Sequence, residues 1–99
     1  MASLTESVKN LFSKMHQGSI VGVDIGTSSI KVVEIAREDE RAVLKNYGEI
    51  ALGPLRGESV GQATNLPPEK LAQALRDLLR ETGIVSKHIS FAIPFSSSL

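Results

Sequence analysis

Two β-branched apolar runs, SIVGVDI and IKVVEIA, are joined by the four residues GTSS. That arrangement leaves a chain few choices. Val and Ile lose rotamer freedom in helices and pack well on a pleated surface. The link is too short for the crossover that parallel strands need, and its length suits a hairpin. Residues 20–25 and 30–36 are therefore predicted as neighbouring antiparallel strands. The first is almost continuously apolar, which predicts a central position in a sheet. A charged, exposed turn, REDER at 37–41, leads to a third run, AVLKNYGEIAL at 42–52. Three strands with short links read as an antiparallel meander.

The next segment, GPLRGESVGQATNLPP at 53–68, holds Gly53, Gly57 and Gly61 with Pro54, Pro67 and Pro68. It is predicted as a loop, and its length predicts one that is packed or functional. PPEKLAQALRDLLRETG then gives the clearest helix. Leu71, Leu75, Leu78 and Leu79 fall on one stripe, the prolines suit the first turn, and Gly83 suits the position just past the end. Glu69 near its start complements the macrodipole. KHISFAIP follows as a further strand, with Ile89, Phe91 and Ile93 on one face. The order predicts an α/β fold, one sheet with a helical layer.

Ahead of the first strand, Leu4, Val8, Leu11, Phe12 and Met15 lie on one helical stripe. Residues 1–18 are read as an amphipathic helix, capped by Ser3 or Thr5 and ended by Gly18. Its stripe can dock on the chain's own body, on a partner or on a membrane surface. Lys9 and Lys14 are few for a membrane-binding helix, so docking on protein is the simpler expectation. Residues 19–99 form the rest.

Lys plus Arg and Asp plus Glu number 11 each, and there is no cysteine. A balanced charge argues against nucleic acid as a partner. Disulfides, thiolate metal sites and a cysteine nucleophile are excluded. No run approaches the roughly 20 apolar residues of a membrane span.

The polar link is where chemistry concentrates. Phosphate binding needs inward-facing backbone N–H groups, little Cβ bulk and hydroxyl donors. Gly26 allows close approach, Thr27, Ser28 and Ser29 can donate, and Lys31 adds a compact cation. Asp24 can hold Mg²⁺ through water. Neither the P-loop pattern nor the dinucleotide fingerprint is present. A plain hairpin with a polar turn uses the same residue types for conformational reasons alone. Other polar residues point to less. His16 and His88 stand outside any ligand-spaced cluster and read as surface residues. Glu34 reads as a solvent-facing strand residue and Tyr47 as packed on the sheet. Ser96, Ser97 and Ser98 read as loop, with no partner to activate a nucleophile.

DIGTSSIK, residues 24–31, resembles the first phosphate motif of the actin-like ATPase superfamily, which has a ribonuclease H-like fold. The superfamily's pattern is an acidic residue, a glycine, a hydroxyl residue and often a lysine in the second strand. Asp24, Gly26, Thr27 and Lys31 match it. Within the superfamily, VGVDIGTSSIKVVEI looks most like the PilM family of type IV pilus assembly proteins, and the likeness extends through PEKLAQALRDLLRETGI and SKHISFAIPFSSS. It implies a truncated N-terminal portion of an actin-like lobe. The last strand would join the main sheet or begin an inserted subdomain. The resemblance also implies a cytoplasmic scaffold, peripheral to the inner membrane through its partners. Such a scaffold binds ATP with Mg²⁺ and docks the tail of a PilN-type protein beside other platform proteins. The second phosphate loop, the adenosine-binding glycines and the catalytic carboxylate lie downstream in that superfamily, so this chain alone is not expected to turn over ATP or bind it tightly. Actin-fold sugar or acyl kinases and FtsA-like cell-division proteins share DIGTSS-type motifs and are the alternatives.

Overall fold

The computed structural model describes Glu6 and residues 18–92. The first three strands are β1 (Gly18–Ile25), β2 (Ser29–Glu38) and β3 (Arg41–Ala51). β1 and β2 pair antiparallel from Gly18↔Arg37 to Ile25↔Ile30, and β2 pairs antiparallel with β3. The meander is as expected, with β1 and β2 longer and β3 shifted by one residue. Gly18 does not end a helix but begins β1, and Ser29 belongs to β2 rather than to the link. Arg37, Glu38 and Arg41 are likewise drawn into the ladder. The β2–β3 turn is reduced to Asp39 and Glu40, both left-handed at φ 50° and 63°. Two such residues in succession match the right-handed twist of the flanking strands, as in a type I′ hairpin. A bulge between Glu34 and Ile35 skips Lys45 on β3.

A short 3-10 turn (Gly53–Arg56) breaks the expected loop and leads on to α1 (Pro68–Thr82). Pro68 occupies the first helical position, where its missing N–H is no loss. Gly83 closes the other end at φ 75°, and the Ile84 N–H reaches back to the Leu79 carbonyl at 3.1 Å. β4 (Ile89–Ala92) then lies beside β1, parallel to it, giving the strand order β3-β2-β1-β4. The last described strand thus joins the main sheet.

Strand alternation decides what faces α1. Val21 and Val23 of β1 and Ile30 and Val32 of β2 share a face, and all four are buried with Ala74 and Leu78 of α1. Leu71, Leu75 and Leu79 pack around that cluster. Each fully buried aliphatic side chain there contributes roughly 1.5–3 kcal/mol before entropy is subtracted. Gly48, opposite Val32, lets the helix approach β3.

Two sequence expectations fail on this sheet. Glu34 does not face solvent: it is 8% exposed, on the α1 side opposite Val21. Its Oε2 accepts a hydrogen bond from Ser19 Oγ at 3.0 Å, and its Oε1 accepts one from Asn46 Nδ2 at 2.7 Å. Alternation along β2 puts it in the same row as Ile30 and Val32, so the carboxylate is buried and needs partners. Tyr47 is not packed but 73% exposed, because it lies opposite Val33 on the face that α1 leaves open. Replacing Glu34 by alanine leaves Ser19 and Asn46 without their acceptor and is expected to destabilise the chain by about 1–3 kcal/mol. Thermal unfolding would measure this. Glu34→Gln, which keeps one acceptor oxygen, should lose less.

The expected helix at 1–18 lies outside the described residues except for Glu6, which is helical and exposed, and Gly18. His16, Ile93 and Ser96 to Ser98 also lie outside them. Among the described residues, no helix is long and apolar enough to cross a membrane.

Candidate functional site

The link between β1 and β2 is a tight turn at 26–28. The Gly26 N–H donates to the Ser29 carbonyl at 2.9 Å and closes it. A Cβ on Gly26 would come within 3.2 Å of that same oxygen, tighter than side chains usually tolerate. Neighbouring segments hold the turn from outside. The Leu52 N–H donates to the Ser28 carbonyl and the Thr64 N–H to the Thr27 carbonyl, both at 2.9 Å. None of these bonds uses the amides of Thr27 or Ser28. The Thr27 and Ser28 carbonyls are therefore committed to the protein body, while the amides of the same two residues take no part in closing the turn.

The six predicted residues do not form one ring. Asp24 and Lys31 lie directly opposite each other, and Lys31 lies opposite Glu49 of β3. By alternation all three occupy the face away from α1, and Ser29 shares it. The described ion pairs join Lys45 to Glu38, Arg56 to Glu58 and Arg80 to Asp77, so Lys31 is not engaged in one. Gly26 and Thr27 instead line an open groove of about 810 Å³ on the α1 side, with Leu52, Thr64, Leu66 and Pro68. Ser28 sits at the tip between the two. The turn thus lies at the rim where the two faces of the sheet meet, beyond the carboxyl end of β1. Because β4 runs parallel to β1 and places Ala92 opposite Asp24, two strands run toward that rim. Such carboxyl ends are where open α/β sheets bind ligands.

Thr64 and Asn65, which also line the groove, were not singled out by the sequence. The available signal was a polar pair just ahead of the LPP that opens α1. The expected packed loop is borne out at this point, since the segment after β3 returns to brace the turn. His88 is exposed, as expected; its carbonyl accepts from the Val21 N–H at 2.8 Å and its own N–H donates to Ser86 Oγ at 3.3 Å.

A three-stranded antiparallel meander, a helix across one face and a fourth strand parallel to the first make this a mixed α/β unit with a four-stranded sheet. Two solved structures from Aquifex aeolicus, described as a Ppx/GppA enzyme and as the organism's Ppx/GppA family member, share it. The first has 14% sequence identity and a TM-score of 0.54, the second 17% and 0.51. In each case the likeness covers 78% of this chain and 26% of the other, so the chain spans about a quarter of their length. Identity this low shows the fold alone. It gives no support to the PilM family in particular. The sequence matches no family model and no curated protein.

Proposed function

We propose that this chain supplies one phosphate-binding half of an actin-like nucleotide site, with the turn at 26–29 as its cradle. The observation that carries this reading is the hydrogen bonding of the turn. Its carbonyls are tied back into the body through Leu52 and Thr64, which orients the tip and leaves the Thr27 and Ser28 amides for an anion. Lys31 starts two residues from Ser29, about 7 Å along the strand, and its four-carbon stem can carry the ammonium to the tip. Asp24 across from it would hold Mg²⁺ through water, and the metal would neutralise phosphate charge. A single loop leaves the nucleoside uncovered and must still offset about 4–15 kcal/mol of lost rigid-body freedom. The 99-residue chain is therefore a weak binder, with a dissociation constant of about 1 mM or weaker.

The finer reading is a nucleotide-binding scaffold of the type IV pilus inner-membrane platform, cytoplasmic and docking a PilN-type tail. It rests on the run VGVDIGTSSIKVVEI. The Ppx/GppA likeness favours a second reading, the front part of an actin-fold phosphoryl-handling enzyme. Binding of a PilN-type cytoplasmic tail peptide to a chain extended downstream separates the two.

The cradle itself is tested by titrating Mg-ATP into the isotopically labelled chain. Amide resonances of Thr27 and Ser28 are expected to shift, saturating only in the millimolar range. Gly26→Val crowds the Ser29 carbonyl and should abolish the shifts. Lys31→Ala removes a charge-assisted contact and should weaken binding by roughly 1.5–3 kcal/mol, tenfold or more. Asp24→Asn should mainly reduce the Mg²⁺ dependence. Unchanged titrations in all three variants would reduce the turn to a hairpin.

A further inference from the structure

The segment after β3 meets the turn at 26–28 twice. At its start the Leu52 N–H holds the Ser28 carbonyl, and further on the Thr64 N–H holds the Thr27 carbonyl. These two braces come from opposite ends of one loop. They fix the turn in a single geometry only if the loop keeps them together.

Main-chain bonds set the first end. The 3-10 turn ends at Gly57, left-handed at φ 74°, and the Glu58 N–H donates back to the Gly53 carbonyl at 2.9 Å. Arg56 and Glu58 are thereby mounted close to Leu52. Their side chains make the link to the second end. The Thr64 hydroxyl donates to Glu58 Oε1 at 3.0 Å, and Arg56 Nη1 donates to the Asn65 carbonyl at 2.6 Å. Arg56 Nε stands 3.8 Å from the same Glu58 oxygen. Both hydrogen bonds have one charged member, which strengthens them. Two adjacent residues are thus gripped, Thr64 by its hydroxyl and Asn65 by its carbonyl. Thr64 cannot turn its N–H away from Thr27 without breaking a charge-assisted bond.

The consequence reaches the anion through peptide geometry. The Thr27 carbonyl and the Ser28 N–H belong to one planar, trans peptide unit, so they point in opposite directions. Drawing that carbonyl toward Thr64 turns the Ser28 N–H outward.

We propose that Arg56 and Glu58 are positioning residues of the phosphate cradle, clamping its two braces together and so aiming the Ser28 amide. This role rests on reading the turn as a cradle. Neither side chain touches the anion. Both act through Thr64 on the Thr27 carbonyl.

Amide spectra of the labelled full chain, recorded before and during titration with Mg-ATP, test this. Arg56→Ala, Glu58→Ala and Thr64→Val are each expected to move the Ser28 amide resonance without ligand and to weaken Mg-ATP binding about fivefold, the usual net worth of one hydrogen bond. Glu58→Gln keeps an acceptor oxygen and should restore most of both. Glu58→Ala and Thr64→Val combined should move Ser28 no further than either alone, because they break the same bond. Val60→Ser, at a position 77% exposed in the same loop, should change nothing. A Ser28 amide left in place by any of the three single variants overturns the clamp, as does a Glu58→Gln chain no better than Glu58→Ala. If Glu58→Ala fails to fold, Thr64→Val decides. A parent chain silent to Mg-ATP sinks the cradle and this role with it, whereas a responsive parent with unmoved variants sinks this role alone.

Discussion

Gly53→Ala is expected to destabilise the chain by about 2–4 kcal/mol, among the largest losses a single methyl group can cause here. A Cβ at this position would overlap the backbone oxygen of Ser59. Backbone cannot rotate aside as a side chain does, so the segment after β3 would have to open. The same segment carries the Glu58 N–H to the Gly53 carbonyl at 2.9 Å and, further on, the Thr64 N–H that braces Thr27. The loss therefore has two readouts. The midpoint of thermal unfolding should fall by roughly 10–20 °C. The Thr27 and Ser28 amides should also broaden or move even without ligand, because the turn loses an outer anchor. A stable variant with unchanged turn resonances would show that the brace does not depend on the fold of this segment.

The second large effect is predicted at Gly48, on a strand that otherwise presents mostly exposed side chains. A Cβ there would lie 2.6 Å from Thr82 Cγ2 and 3.0 Å from Leu78 Cδ1. Thr82 is poorly placed to swing away, since its hydroxyl donates to the Leu78 and Leu79 carbonyls at 2.9 and 3.0 Å. Gly48→Val must therefore push the C-terminal end of α1 off the sheet, at a cost of about 2–3 kcal/mol. The milder Gly48→Ala paired with Thr82→Ser forms a double-mutant cycle that checks the mechanism. Serine keeps the hydroxyl and removes the methyl group, so the pair should recover a measurable part of the loss, about 0.5 kcal/mol or more of coupling. Strictly additive losses would place the strain elsewhere.

Much of this architecture was legible in the residues. The β-branched density of SIVGVDI and IKVVEIA, with only GTSS between them, forced a hairpin because chain length forbids any other connection. The leucine stripe, the prolines and Gly83 marked α1 closely, since helical period and terminal chemistry are local properties. Asp24 and Lys31 could be singled out as a pair of opposite charges flanking a small polar turn. Their meeting across one rung of the ladder follows from the turn's length.

What only the tertiary structure decided was which groups share a surface. Glu34 reads locally like any exposed strand residue, and only the placement of α1 turned its row inward, toward Ser19 and Asn46. The need for a glycine at 48 arises only where the helix lies across it, and Thr64 met Thr27 only because a long loop doubled back. Strand alternation divided the predicted cradle between the two faces of the sheet, while β4 chose β1 as its parallel neighbour across the intervening helix. Local sequence sets periods, turns and caps through interactions within a few residues. Face, partner and burial depend on contacts between segments far apart in the chain, and those exist only once the sheet and α1 are packed together.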